Sequence, residues 1–411
     1  MHNKHGRSSG LYTGKLLAIF LSAFLLQQSC RNEAPAEHYG FITRLGQDTI
    51  SVEDVSRTGN TLTIDAVDRF PGVRVRHAVV ELKPDGSTRH FVMDIHTPAE
   101  PANQRDRKVI ADVTTDSVHI TKTDGTGTLH RDFKTGGAMM VAHVPQLYSL
   151  YETYFAAALK HAAAAKSGQA PVQLKQYYID REFDGFPLGG VEIKPLPDGK
   201  AEITHDWLAG TGLATMDSNF HMLSYSGAGT TYKVEVTRIS SIPDIKSMAE
   251  RFEAREAITG KKQLSVRDTV SAQIGAVNFT VDYGRPLLRG RKLLGDVLPY
   301  DEVWRTGANA ATQFFVSAPI KIAGNLVPAG KYTLWTVPHK NGVDLIVNKQ
   351  SGQWGTEYDR SQDLWRASIT DSVSSAPTEE FTISIIPSNS KHGMLVIEWG
   401  SFKWSAMIEV Q

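Results

Sequence analysis

The chain has 411 residues, with 44 Lys+Arg against 44 Asp+Glu, 41% hydrophobic residues, 34 Gly and 18 Pro. That balance excludes a disordered tail and a collagen-like fibre, and leaves a globular chain long enough for two or three domains. A formal net charge of +0 excludes the basic footprint of a nucleic-acid binder. Residues 1–15 then carry Lys4, Arg7 and Lys15 and no acid, and Leu16 to Leu26 reads LLAIFLSAFLL. A membrane-spanning helix needs about 20 apolar residues, so this shorter run has the layout of a secretory signal. Gln27-Gln28-Ser29-Cys30 follows at once. Cys30 is the only cysteine of the chain, so no disulfide forms within it.

A lone cysteine directly behind such a region resembles the lipobox of bacterial lipoproteins. There the signal is cut ahead of the cysteine and the thiol is acylated. This sequence departs from the pattern in having Gln27 where the lipobox has Leu, with Leu26 one place earlier, while Ser29 fits. Relaxed lipoboxes ending in Ser-Cys are common in Bacteroidota. The resemblance implies removal of residues 1–29, palmitate-type lipidation of Cys30, and a tether over residues 30–38. It places the body at the cell envelope, on the outer membrane, facing the periplasm or the surface. Each buried CH₂ of such an anchor contributes roughly 0.8 kcal/mol.

Residues 39–240 are dominated by short runs of period two bounded by turns. Val73, Val75, His77 and Val79 alternate with Arg74, Arg76, Ala78 and Val80. Pro-Asp-Gly at 84–86, Asp-Gly at 124–125 and Pro-Asp-Gly-Lys at 197–200 are tight-turn signals. About ten strands of one antiparallel sheet are expected. One segment breaks the pattern. Leu147, Leu150, Tyr151, Tyr154, Phe155 and Ala158 have helical spacing, with Pro145 ahead and Ser167-Gly168 behind. They predict an amphipathic helix over 146–166 with its aromatic stripe against a curved sheet. That architecture resembles the half-barrel of periplasmic lipid and lipoprotein carriers, in which the concave face holds acyl chains. The plainer reading of the stripe is core. Residues 241–263 read as a linker helix, weakly periodic and rich in Lys and Arg.

From Leu264 the period of two returns, at Val277–Tyr283, Lys331–Val337, Asp344–Asn348, Phe381–Ile386, Met394–Trp399 and Phe402–Val410. With six of the seven tryptophans and no long helical pattern, residues 264–411 predict a jelly-roll-like β-sandwich. Tyr283-Gly284-Arg285-Pro286, Gly290-Arg291-Lys292, Leu298-Pro299-Tyr300, Val303 to Asn309, Ala311-Thr312, Pro328 to Leu334 and Trp354-Gly355 follow one another in order. Together they resemble the domain of unknown function 2911 family of Bacteroidota. That family brings no established activity, cofactor or catalytic residue. The fold class expected overall is mostly β, a curved sheet with one long helix followed by a sandwich.

The densest group of binding side chains is Trp304 to Asn309, which holds an indole, a guanidinium, a hydroxyl and an amide. Arg285 and Arg291 stand beside a Pro and a Gly. Arginines gathered on loops at one end of a sandwich hold a carboxylate, phosphate or sugar acid through paired N–H donors. Arg285, Arg291, Trp304, Arg305, Asn309 and Trp354 are therefore the candidate ligand-binding residues. Against this, loop arginines often tie carbonyls together and tryptophans often fill cores. Trp335 and Trp354, with Tyr358, are candidates for a stacking surface, with core the plainer role.

Other constellations carry less. Asp94 and His96 share a strand face, but a zinc site needs three or four ligands and no HExxH or CxxC occurs. No metal and no cofactor is expected. Asp180, Glu182 and Asp184 would align on a strand, as a calcium site or an acid/base pair, or as a solvated strand end. Gly210-Thr211-Gly212 and Gly227-Ala228-Gly229 open no helix and are turn glycines. The expectation is a lipid-anchored envelope module that binds a ligand or a protein and has no catalytic residue. The alternatives are an envelope hydrolase acting on glycan or ester, with Arg285, Arg291, Arg305 and Asn309 as its clamp, and a lipid carrier.

Overall fold

The computed structural model describes residues 36–69, 72–165, 168–178, 188–260 and 264–410. Cys30 with the signal and the tether as far as residue 35, and the Asp180, Glu182 and Asp184 group, lie outside them, while Glu37 and His38 of the expected tether already belong to the first strand. The described chain is mostly β, as the alternation requires.

Eight strands run out as an antiparallel meander: β1 (Glu37–Leu45), β2 (Asp48–Thr58), β3 (Thr61–Asp68), β4 (Arg74–Leu82), β5 (Thr88–His96), β6 (Asp106–Val113), β7 (Ser117–Asp124) and β8 (Gly127–Lys134). A short helix, α1 (Ala102–Arg105), lies between β5 and β6. After β9 (Met140–His143) and α2 (Tyr148–Ala165), the chain returns through β10 (Val172–Tyr178), β11 (Leu188–Pro195), β12 (Lys200–His205), β13 (Thr211–Met216), β14 (Met222–Ser226) and β15 (Glu235–Ile239). β15 pairs with β1, so all fifteen strands make one sheet in the order β8 to β1, then β15 back to β9. The β9–β10 pair is parallel and the other pairs are antiparallel. The turn signals predicted about ten strands; strands as short as β9 and β14 carry too little alternation to be read.

The sheet curves around α2. Residues Tyr148 to Ala158 of that helix are all buried, so its surroundings are core on every side rather than along one stripe. Its first turn is capped from another strand. Glu53 of β2 accepts from Tyr148 N at 2.6 Å, Ser149 N at 3.0 Å and Ser149 Oγ at 2.5 Å. A carboxylate there satisfies otherwise unpaired N–H groups at the positive end of the helix. Deeper in, Glu152 accepts from Tyr39 Oη at 2.7 Å and Met222 N at 2.8 Å and pairs with Arg238. Helix α3 (Ile245–Thr259) starts at Asp244, whose side chain accepts from Ser247 N at 2.8 Å. It is charged, yet Met248, Ala249 and Phe252 pack on Val52 and Val67 of the first sheet and on Val73 just ahead of β4.

The second sheet is formed by β16 (Ser265–Ile274), β17 (Val277–Pro286), β18 (Thr312–Val316), β19 (Ile320–Ile322), β20 (Asn325–Val327), β21 (Gly330–His339), β22 (Gly342–Asn348), β23 (Asp363–Pro387) and β24 (His392–Val410). Its order is β16-β17-β18-β21-β22-β23-β24-β19-β20. The first part of β23 pairs with β22, and the rest pairs with β24 through two register shifts. This long bent strand folds the sheet into two layers around a core that includes Phe381, Trp399 and Trp404. The sequence suggested two strands, Met394–Trp399 and Phe402–Val410. They are halves of β24, because Gly400 at φ 56° bends the strand without ending it.

The tip of the β1–β2 hairpin meets the second sheet. Gln47 N donates to Arg289 O at 2.9 Å, and a Cβ on Gly46 would overlap that same carbonyl. Asp48 pairs with Arg289, with Arg69 at 3.2 Å and with Arg255 at 3.6 Å. Two open spaces flank this contact.

Candidate functional site

One space, about 370 Å³, is lined by Asp48, Arg69, Arg255, Glu256, Arg289 and Glu379 among others. Its arginines are those that hold Asp48. Charge there is internally matched.

The other space, about 350 Å³, differs. It lies between the β14–β15 turn (Gly229 to Lys233) and the segments around Arg291 and Trp304 to Asn309. Lys233, Arg289, Arg291 and Arg305 face Glu302, the one carboxylate in its wall among the described residues. Arg289 is engaged by Asp48, and Arg291 donates to Leu288 O at 2.9 Å and Leu287 O at 2.6 Å. Lys233 donates to Ala228 O at 2.7 Å. The guanidinium of Arg305 makes no hydrogen bond with any described residue, and its Nε is buried.

Local backbone explains how Arg305 is held. Trp304 exchanges two backbone hydrogen bonds with Thr336, at 2.8 and 2.9 Å. Its indole donates to Gly307 O at 3.1 Å and stacks on Trp399 with ring centres 5.9 Å apart. Thr306, fully buried, has φ 51°, and Asn309 has φ 63°. A β-branched residue with positive φ is an outlier that persists where its surroundings over-determine it. Here Thr312 Oγ1 donates to Thr306 O at 2.6 Å, and the Thr306 and Thr336 hydroxyls lie 3.1 Å apart. Gly355 covers the Arg305 stem so closely that a Cβ would overlap Arg305 Cδ.

The electrostatics follow. Burial pushes the Arg305 guanidinium below its usual range. Burial, with Arg289 adding, lowers Arg291 to about 10. Lys233 is lowered by burial first, with Arg291 and Arg305 adding and Glu302 opposing. Burial is the first cause of all three shifts, and a bound anion would favour the charged forms.

Of the six residues nominated by sequence, Arg291, Trp304, Arg305 and Asn309 line this cavity. Arg285 does not. It stands on β17 rather than in a loop, tied to Asp268 and Glu380 at 2.9 Å each and to Phe381 O at 3.1 Å. Trp354 also lies off the cavity wall and is 52% exposed, while Trp335 is core with Tyr358 against it. Lys233, Arg289 and Glu302 were not foreseen. Lys233 follows glycines legible only as a turn, and nothing local ties it to Arg291.

Among the described residues no three His, Cys, Asp or Glu side chains gather as a metal site. Asp94 and His96 turn to separate partners, Lys108 at 3.2 Å and Asp106 at 2.6 Å. No helix among the described residues is long and apolar enough to cross a membrane.

Residues 265–408 match the family described as Protein of unknown function (DUF2911). That span is the second sheet, and it supplies Arg291, Glu302 and Arg305. Two solved structures are similar over about half of the chain. A DUF1089 family protein from Pseudomonas aeruginosa shares 11% identity, covering 55% of this chain and 97% of its own, with TM-score 0.29. A beta-barrel-like protein of DUF1849 from Brucella abortus shares 11% identity, covering 51% and 97%, with TM-score 0.27. No curated protein matches the chain.

Proposed function

We propose that this chain is a lipid-anchored binding protein of the cell envelope, of the kind made by Bacteroidota, that takes a small anionic ligand in the seam between its two sheets. The anchor is Cys30, acylated after removal of residues 1–29, with the body at the outer membrane. One observation carries the binding reading. Arg305, its Nε buried, has no hydrogen-bond partner among the described residues at a cavity that also holds Lys233 and Arg291, with Glu302 as the one carboxylate among the described lining residues. An uncompensated donor costs about 1–3 kcal/mol when buried, and a bound carboxylate or phosphate would remove that cost.

The test is calorimetric titration of the folded chain with small carboxylates and inorganic phosphate, against Arg305→Met. The methionine keeps the stem under Gly355 and removes the fork. Loss of tenfold or more in affinity is expected, and equal affinities would refute the site. Intact-mass analysis of the membrane-extracted protein tests the anchor: acyl mass on a chain beginning at Cys30 is expected, and an unmodified start would remove it.

A further inference from the structure

We infer that the ligand is a hydroxylated acid, a sugar-type ring bearing a carboxylate or phosphate. This rests on the seam cavity being the binding site, and it turns on Glu302. That carboxylate lines the cavity, is exposed, and accepts no hydrogen bond from a described residue. It stands near enough to Lys233 to oppose the depression of that amine. A ligand that is only an anion would gain from Arg305 and lose to Glu302. A ligand that also donates to Glu302 uses both poles.

A donor to Glu302 is either a cation such as ammonium or a neutral group, of which hydroxyl is the one that a ring can present in numbers. An ammonium would enter beside Lys233, Arg291 and Arg305, and would cancel the charge those groups attract. Hydroxyls donate to Glu302 without that repulsion. The remaining wall suits a ring. Val297 and Trp304, both partly exposed, offer apolar surface to a C–H face, as ligand pockets commonly combine apolar walls with a few placed polar groups. Arg305 offers a planar fork that fits a carboxylate or phosphate edge.

The experiment titrates the folded chain and its Glu302→Ala variant with D-glucuronate, glucose 6-phosphate, glucose, hexanoate and inorganic phosphate. Glu302 is on the surface, and circular dichroism confirms that the variant is folded. Glucuronate or glucose 6-phosphate should bind at least tenfold more tightly than glucose, hexanoate or phosphate. Comparison of those two tells a carboxylate from a phosphate as the acid. Glu302→Ala should weaken the hydroxylated acids several-fold while tightening hexanoate and inorganic phosphate, because repulsion is removed for the latter pair. If Glu302→Ala tightens every acid alike, Glu302 only repels and the hydroxyl inference fails while the anion site stands. If Arg305→Met changes no affinity, the site itself fails and takes the inference with it.

Discussion

The two sheets treat buried polarity in opposite ways. Around α2 the first sheet encloses Glu53, Glu152, Arg76 and His143, all nearly inaccessible to solvent. The carboxylates there are fully engaged: Glu53 caps a helix, and Glu152 holds two donors and a guanidinium. The second sheet keeps its core of Phe, Trp and aliphatic side chains free of charge. On one margin, at the cavity, Arg305 and Glu302 carry charge without a hydrogen-bond partner among the described residues. The buried carboxylates of the first region hold its architecture, whereas Arg305 stands at the cavity without a partner among the described residues. The discriminating property is whether the charge is paired.

Removing one charge from each region should give opposite results. Glu152→Ala strands Arg238, the Tyr39 hydroxyl and the Met222 N–H, and breaking a buried pair costs about 3–5 kcal/mol. Arg305→Met removes a donor whose buried Nε no described residue satisfies, so unfolding free energy should hold or rise by up to about 1–3 kcal/mol. Urea denaturation of both variants decides it. Loss of stability in Arg305→Met on the scale of Glu152→Ala would erase the distinction.

Acid should act on the first region through His205. This ring is buried beside His143 and Trp207, reaches Gln176 Oε1 at 3.2 Å through Nδ1, and leaves Nε2 without a partner among the described residues. Burial lowers it from 6.5 to about 3. The unfolded chain binds a proton below pH 6.5 that the folded chain refuses until about pH 3. Stability from the neutral ring is thus complete above pH 6.5 and is lost as pH falls toward 3. The slope is at most about 1.4 kcal/mol per pH unit. His205→Gln should flatten thermal stability across that window relative to the parent, and an unchanged slope would show the ring accessible to protons.

Much of this was legible in the sequence, for definite reasons. The turn signals and period-two runs disclosed a β protein, and Leu147 to Ala158 disclosed α2. What alternation cannot disclose is which strands become neighbours over long separations. β1 pairs with β15, and that closure brings Lys233 within reach of Arg291 and Arg305. The Trp304–Asn309 run was conspicuous because its chemistry is local. Arg285 looked equivalent to Arg291 by composition, and only its pairing across the strand with Asp268 and Glu380 separates them. The nearly all-round burial of α2 was equally hidden, since Glu53 reaches it from a strand 95 residues away in sequence.

The finest division falls between two adjacent residues, Trp354 and Gly355. Trp354 attracted notice as an aromatic, yet its ring is half in solvent and off the cavity wall. What matters there is backbone: Ala310 and Trp354 form a bridge, and Gly355 N donates to Asn309 O at 3.1 Å. That contact sets Gly355 over the Arg305 stem, where a methyl group would displace both Cδ and the Asn309 carbonyl of the turn that carries Arg305. Gly355→Ala should therefore weaken anion binding about tenfold by moving the guanidinium. Trp354→Ala, an exposed substitution, should change stability by no more than about 0.5 kcal/mol and leave affinity within twofold. Titration of both variants with the acid that binds the parent best distinguishes the two roles, and a larger loss from Trp354→Ala would make the indole, rather than the turn beneath it, the element that serves the site.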